Sequence, residues 1–193
     1  RQMIKELNPD VLTLDVQMPG MNGIDFLEKI MTLRPMPVVM VSTLTAEGAA
    51  ITLQALELGA VDFVEKPYMN IAEGMEDMAH DMIQKVKIAS KARVSIEQPQ
   101  SKNPTDNWKM RPQGSVICVG SSTGGVEAWY QIISQFPTDC PPVLLTQHMP
   151  PQFTATLAQH LTKKGGIQVS EATDGMRIQQ GHMYIAPGNF HLA

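Results

Sequence analysis

The stretch VICVGSSTGG, residues 116–125, decides how the second half of this chain folds. Its apolar, largely β-branched start predicts a buried strand at about residues 115–119, and the small residues that follow predict a tight turn into a helix. Residues 120–124 also have the order G-x-S-x-G in the strand–turn–helix context of a nucleophile elbow. A turn of this kind can instead cap a helix or hold a phosphate. The stretch predicts an α/β unit in which Ser122 is a candidate nucleophile.

A candidate base lies downstream of this serine. His148 follows the predicted strand 142–146, in the run TQHMPPQFT. The carboxyl ends of parallel strands meet at one edge of a sheet, so adjacent strands would bring Ser122 and His148 within hydrogen-bond reach. A histidine that accepts the serine proton typically contributes about 10²- to 10⁴-fold to the rate. The alternative is a structural histidine, which is our interpretation of the other four: His80, His160, His182 and His191.

The first half of the chain alternates strands and helices. Strands are predicted at 10–14, 37–43 and 61–67, and helices at 22–33, 46–60 and 71–88. This order predicts a parallel sheet covered by helices. Asp15, Ser42 and Lys66 lie at the carboxyl ends of the three strands. Together they could accept, hydrogen-bond and neutralise a phosphoryl group, although each residue alone also has an ordinary structural interpretation.

Composition divides the chain into three segments. Periodicity is lost from about residue 89, where Pro, Gln, Asn and Ser accumulate as in a linker. We therefore expect a domain over 1–88, a linker over 89–113 and a second domain over 114–193. Cys118 and Cys140 fall in or beside predicted core strands, at a spacing that suits no metal site, so we expect both to be reduced, packed thiols.

Charge and hydropathy exclude several classes of function. The 193 residues carry a net charge of -4, which argues against wholesale electrostatic binding to nucleic acid or membrane. No apolar run approaches the roughly 20 residues that cross a bilayer. From residue 114 onward there are three basic and four acidic residues, a net charge of -1, which argues against a DNA-binding output domain. We expect a cytoplasmic, monomeric protein without nucleic-acid binding or membrane insertion.

The first half resembles a response-regulator receiver domain. The resemblance lies in the motifs LTLDVQMPGMNG (12–23), VVMVST (38–43) and FVEKP (63–67). It implies part of a flavodoxin-like fold, with Asp15 as phosphoacceptor, Ser42 as switch hydroxyl, Phe63 as its aromatic partner and Lys66 as the phosphate-binding lysine. It also implies Mg²⁺ bound by the Asp15 carboxylate, the Gln17 backbone carbonyl and an acidic pair. That pair would precede Arg1, so we expect a partial receiver with an incomplete metal site.

The second half resembles the catalytic domain of the chemotaxis response-regulator protein-glutamate methylesterases. The matching motifs are GSSTGG, LLTQHMPPQFT, EATDGMRIQQG and MYIAPGNFH, and a receiver joined by a linker to this domain is the family's architecture. The resemblance implies a partial doubly wound parallel α/β domain that hydrolyses glutamate γ-methyl esters on methylated chemoreceptors and deamidates certain receptor glutamines. A chemotaxis histidine kinase would be the phosphodonor. Ser122 is then the nucleophile, His148 the base and the Thr123 N–H an oxyanion-hole donor, with no cofactor for hydrolysis.

The ends of the sequence indicate a fragment of a longer enzyme. The chain starts at Arg1 in helical sequence and stops at Ala193, directly after a predicted turn. The family's aspartate that orients the histidine would lie beyond Ala193, since Asp139 and Asp174 have the sequence context of turn residues. Loss of that carboxylate costs about 10⁴-fold in kcat in a serine protease, so we expect the fragment to be nearly inactive.

Two further hypotheses concern regulation and the alternative function. A tethered receiver predicts that the unphosphorylated domain covers the serine site and that phosphorylation of Asp15 relieves the inhibition. The alternative is a receiver-controlled binding or signalling module without catalysis.

Overall fold

In a computed structural model of the protein, residues 2–18, 20–43, 45–66, 71–94 and 114–192 are described, with only the backbone considered at 46 and 71–74. Most of the expected linker, residues 95–113, lies outside the described residues, as does Pro67. The chain divides into two compact units, Arg1–Glu97 and Gln98–Ala193. No helix in the described part of the chain is long and apolar enough to cross a membrane.

The first unit is built on a three-stranded parallel sheet. Its strands are β1 (Leu12–Asp15), β2 (Val38–Ser42) and β3 (Asp62–Glu65), in that spatial order. Its helices are α1 (Gln2–Leu7), α2 (Gly23–Leu33), α3 (Ala46–Glu57) and α4 (Ile71–Ala89). Central β2 is almost wholly buried, because both of its neighbours and the covering helices remove it from water. The predicted parallel β-α-β-α order is confirmed.

Local capping fixes where the helices of this unit begin and end. The Asn22 side chain accepts a hydrogen bond of 3.1 Å from the Ile24 N–H and so caps the N-terminus of α2. Gly59 follows α3 with a φ of +101°, a conformation that favours glycine. The Ala60 N–H then donates to the Ala55 carbonyl at 3.0 Å, which ends the helix and starts the approach to β3.

The second unit is built on a four-stranded parallel sheet. Its strands are β4 (Ile117–Ser121), β5 (Val143–Gln147), β6 (Gln168–Glu171) and β7 (His182–Ile185), in the order β4-β5-β7-β6. Its helices are α5 (Gly125–Ile132), which continues as a 3-10 turn over Ile133–Gln135, and α6 (Pro151–Lys164). Buried side chains from the strands and both helices form its core, among them Trp129, Ile133, Leu145, Phe153 and Leu157.

Strand β4 differs from its prediction in position and in burial. It begins at Ile117 and includes Ser121, so it lies two residues later than expected. It is an edge strand, and its side chains alternate between a covered face and an open one rather than being buried throughout. Cys118 points to the open face and is exposed, whereas Cys140 is buried. The expectation of two packed thiols is therefore wrong for Cys118.

Candidate functional site

The register of β4 and β5 positions the predicted serine and histidine. Ile117 pairs with Val143, and the same offset continues until Ser121 pairs with Gln147 at the carboxyl ends of both strands. One further backbone hydrogen bond, of 2.9 Å, runs from the His148 N–H to the Ser121 carbonyl. Ser122 and His148 are therefore the next residues beyond two paired strand ends.

The two side chains lie within reach of each other. The Ser122 Oγ is 3.3 Å from the His148 Nδ1, and both residues are exposed. A hydrogen on Oγ and a lone pair on Nδ1 give the pair the arrangement of a nucleophile and its base. The structure brings together the two residues that were predicted to act together.

No carboxylate among the described residues hydrogen-bonds the His148 imidazole. Asp139 lies before β5, at the end of the sheet opposite Ser122. Asp174 lies in a turn in which the Met176 N–H donates to the Thr173 carbonyl at 3.1 Å. Both aspartates have the turn positions that were expected of them.

The turn after β4 has the features of a strand-to-helix elbow. The Gly125 N–H donates to the Ser122 carbonyl at 2.8 Å, and Gly124 has a φ of +76° as the residue that precedes α5. A Cβ on Gly125 would lie 2.6 Å from the Gln147 Oε1, whereas a Cβ on Gly120 would meet nothing within 4 Å. Glycine is therefore required for conformation at 124 and for space at 125. Thr123 lies in this turn, half-buried, directly after Ser122.

Sequence reasoning missed Gln147, whose buried side chain contacts the backbone of both candidate residues. Its Nε2 donates to the Ser122 carbonyl at 3.0 Å and lies 3.5 Å from the His148 carbonyl. The available signal was a polar residue at the last position of a strand that begins with three apolar residues. Its partner groups become apparent only when the strand register is known.

A second candidate site lies at the carboxyl edge of the first sheet. The Lys66 Nζ is 2.5 Å from the Asp15 Oδ2, and the Asp15 Oδ1 accepts a hydrogen bond of 3.0 Å from the Gln17 N–H. The Lys66 N–H donates to the Ser42 carbonyl at 2.7 Å, which places all three predicted residues at this edge. The carboxylate and ammonium are paired as the sequence suggested.

The two predicted switch residues are held by neighbours that the sequence did not indicate. The buried Ser42 hydroxyl lies 2.7 Å from the Oγ1 of Thr52, a fully buried residue of α3. Buried Phe63 contacts Lys85 of α4, whose Nζ donates to the Phe63 carbonyl at 2.7 Å and lies 5.2 Å from the centre of its ring. Lys85 also pairs with Asp81 at 2.9 Å.

The oxygen donors at this edge are of the kind that Mg²⁺ prefers, but they are few. The Asp15 carboxylate and the Gln17 carbonyl are hard oxygen ligands, and Mg²⁺ requires a near-octahedral set. The described residues contain no group of three or more His, Cys, Asp or Glu that could hold a metal ion. The described residues therefore do not by themselves form a magnesium site.

Burial changes the ionisation of two carboxyl groups near the candidate sites. Burial raises the pKa of Glu65, the last residue of β3, above its ordinary value of 4.5, although the positive charge of Lys85 partly offsets this. Burial likewise raises the pKa of Glu127 in the first turn of α5, against a hydrogen bond from Gln131 that lowers it. Both groups are therefore less acidic than exposed glutamates.

These two sites define the class of protein. A phosphoacceptor-type edge in one α/β unit, followed by a serine–histidine elbow in another, is the arrangement of a receiver domain joined to a hydrolase-type domain. Residues 1–79 match the response regulator receiver domain family, and residues 117–193 match the CheB methylesterase family. The chain belongs to the CheB methylesterase family of response regulators, as its motifs predicted.

Individual relatives agree with this assignment. The chain is 54% identical over 190 residues to protein-glutamate methylesterase/protein-glutamine glutaminase 1 of Caulobacter vibrioides, covering 97% of this chain and 55% of that protein. It is 50% identical over 193 residues to the Salmonella typhimurium protein-glutamate methylesterase/protein-glutamine glutaminase, covering 100% of this chain and 55% of that protein. The chain thus spans about half the length of these curated relatives.

A solved structure is also similar to part of the chain. The crystal structure of the Thermotoga maritima CheB methylesterase catalytic domain is 42% identical in sequence, with a TM-score of 0.40. The match covers 42% of this chain and 43% of that one.

Proposed function

We propose that this protein is a phosphorylation-regulated protein-glutamate methylesterase and protein-glutamine deamidase that acts on chemoreceptors. The observation that carries the proposal is the 3.3 Å approach of Ser122 Oγ to His148 Nδ1 at a strand-to-helix elbow. The names of relatives that are about half identical over the whole chain supply the substrate class.

The proposed ester hydrolysis proceeds through an acyl-enzyme. The Ser122 Oγ attacks the carbonyl carbon of a glutamate γ-methyl ester while His148 Nδ1 takes the hydroxyl proton. The tetrahedral intermediate collapses, and the imidazolium returns that proton to the departing methanol oxygen. A water molecule then gives a proton to Nδ1 and attacks the acyl carbon, and Ser122 recovers its proton as the glutamate leaves. Deamidation follows the same steps with ammonia as leaving group, and neither reaction requires a cofactor.

The oxyanion of the tetrahedral intermediate needs hydrogen-bond donors. We place the Thr123 N–H in this role, because the residue after an elbow nucleophile commonly fills it. The proposal is supported by the position of Thr123 between Ser122 and the start of α5, where the backbone N–H groups carry partial positive charge.

The receiver site supplies the proposed control. A chemotaxis histidine kinase would transfer a phosphoryl group to Asp15, and Lys66 and the Ser42 hydroxyl would then bind its oxygens, with Phe63 as the aromatic switch. Mg²⁺ would use the Asp15 carboxylate and Gln17 carbonyl together with further ligands. We retain the expected boundaries, a receiver over 1–88, a linker over 89–113 and a catalytic domain over 114–193. We further propose that the reaction takes place in the cytoplasm and that the enzyme is a monomer.

Covalent labelling tests the proposed nucleophile. Full-length protein is treated with a fluorophosphonate, and the modified residue is located by mass spectrometry. We expect the label on Ser122 and its loss in Ser122→Ala, with undiminished labelling in the control Ser134→Ala, a change of an exposed serine in the 3-10 turn. Labelling that persists in Ser122→Ala, or that never occurs, would contradict the assignment.

A further inference from the structure

The side chain of Gln147 connects the two strands that carry the serine and the histidine. Gln147 is the last residue of β5, it is buried, and it lies opposite Ser121 in the register. Its Oε1 is 2.5 Å from the Ser121 Oγ, across from β5 to β4. Its Nε2 lies 3.0 Å from the Ser122 carbonyl and 3.5 Å from the His148 carbonyl. One amide group therefore contacts the backbone of both residues of the candidate pair.

The chemistry of the neighbouring groups fixes the direction of these hydrogen bonds. Trp129, buried in α5, has its Nε1 at 3.4 Å from the Ser121 Oγ. An indole N–H can only donate, so the Ser121 oxygen accepts from it. The Ser122 and His148 carbonyls can only accept, so the NH₂ end of the Gln147 amide faces them and its Oε1 accepts from the Ser121 hydroxyl. The amide oxygen is thereby assigned to the Ser121 side, and both amide hydrogens face the two carbonyls. The hydrogen bonds form a chain: Trp129 donates to Ser121, Ser121 donates to Gln147, and Gln147 donates to the backbone carbonyls of the candidate pair.

The elbow is shaped to admit this side chain. A Cβ on Gly125 would lie 2.6 Å from the Gln147 Oε1 and 2.7 Å from the Ser121 Cβ, both far inside contact distance. Gly125 is also the residue whose N–H closes the turn onto the Ser122 carbonyl, at 2.8 Å. The carbonyl of Ser122 thus accepts from the elbow on one side and from Gln147 on the other. Both hydrogen bonds restrain the peptide plane that follows the nucleophile.

We propose that Gln147 is a positioning residue, whose amide holds the backbone of Ser122 and His148 so that Oγ and Nδ1 stay within hydrogen-bond distance. The inference rests on the proposed function, because it concerns the geometry of that same pair. A displacement of about 1 Å in a reacting group can reduce a rate by about 100-fold, so a restraint of this kind acts mainly on kcat. Gln147 itself is buried whereas Ser122 and His148 are exposed, so we expect the substrate to contact the pair and not the Gln147 side chain.

The test replaces the donor and keeps the shape. In Gln147→Glu, assayed at a pH at which the new carboxyl group is ionised, an oxygen still accepts from Ser121, but the group that donated to the Ser122 carbonyl becomes an acceptor. We expect kcat for methyl-ester hydrolysis by the full-length protein to fall about 10- to 100-fold, with KM changed less than about twofold. The matched control is Gln135→Glu, where an exposed glutamine in the 3-10 turn donates to the Gln131 carbonyl at 3.2 Å. That control should keep the wild-type kcat.

Folding is followed by circular dichroism on the same preparations. If Gln147→Glu does not fold, Ser121→Ala takes its place, because it removes the donor to Oε1 and leaves Gln147 intact. It should lower kcat by a smaller factor at unchanged KM. If a folded variant keeps the wild-type kcat, or if only its KM changes, the positioning role is wrong. Hydrolysis by the wild type would in that case still support the proposed function. Wild-type protein without hydrolysis would contradict the proposed function itself, and the positioning role with it.

Discussion

The Ser122 hydroxyl and the His148 imidazole meet at 3.3 Å because each residue directly follows one of two paired parallel strands. The contact depends on the strand register, since a shift of one residue would turn one of the two side chains to the other face. The contact also identifies which imidazole nitrogen faces the serine. It is Nδ1, and Nε2 is directed away from the serine. The chemistry of the site follows from this one relationship.

Removal of the base should cost much of the activity of the full-length protein. In His148→Gln no side-chain group can take the Ser122 proton, so we expect kcat to fall about 10²- to 10⁴-fold. Steady-state hydrolysis of a methylated receptor substrate measures the effect. His160→Gln is the matched control, since His160 lies on α6 beside the Tyr130 hydroxyl, at 3.4 Å. Comparable losses in both variants would argue against a specific role for His148.

Replacement of Gly125 by alanine should destabilise the protein, whereas the same replacement of Gly120 should not. Gly125→Ala places a Cβ 2.6 Å from the Gln147 Oε1, so α5 or the Gln147 side chain must move. We expect a loss of about 1–3 kcal/mol in the free energy of unfolding and a lower kcat. Gly120→Ala has open space around its Cβ and should be nearly neutral. Urea denaturation of both variants measures the difference, and equal stabilities would show that the close contact is absent.

The acceptor site predicts a single site of phosphorylation in the first unit. Asp15→Asn keeps the size of the side chain but removes its nucleophilic carboxylate, so incorporation of phosphate from acetyl phosphate with Mg²⁺ should be lost. Asp10→Asn changes an exposed aspartate near the start of β1 and should leave incorporation intact. Phosphate-affinity gel electrophoresis of each full-length variant separates the phosphorylated protein from the unphosphorylated protein. Phosphorylation that persists in Asp15→Asn would place the acceptor elsewhere.

His182 should make the stability of the second unit depend on pH. Burial lowers its pKa from the ordinary value of 6.5, while the ring stacks on Tyr184 at 4.4 Å and its Nε2 lies 3.0 Å from the Ser170 Oγ. The unfolded chain then binds the proton more tightly than the folded one. The stabilisation is fully present above pH 6.5 and is lost as the pH falls through that value towards the lower folded-state pKa.

Thermal unfolding measured from about pH 8 to about pH 5 tests this linkage. The wild type should lose more stability over that range than His182→Gln, which has no group to protonate. Parallel curves for the two proteins would exclude a contribution from His182.

The strand ends could be predicted from the sequence because both sheets are parallel. The apolar runs before these ends are short and are followed by polar residues. Two pairs of side chains do meet at the sheet edges, Asp15 with Lys66 and Ser122 with His148. The boundaries of β4 could not be predicted as well, since Gly120 and Ser121 continue the ladder despite their low strand propensity.

The supporting contacts required the three-dimensional structure. Gln147 lies 26 residues from Ser121, and Thr52 lies 10 residues from Ser42, so neither hydrogen bond has a local sequence pattern. The exposure of Cys118 was missed for a related reason. A run of apolar residues does not reveal that its strand lies at the edge of a sheet with one face open.

Methanol release from methyl-esterified chemoreceptors tests the central claim most directly. Full-length wild type and Ser122→Ala are compared, with the Asp15 site phosphorylated to the same extent in both. We predict that wild type releases methanol and that Ser122→Ala releases it at least about 10³-fold more slowly. Equal rates of release by the two proteins would contradict the assignment of Ser122 as the nucleophile.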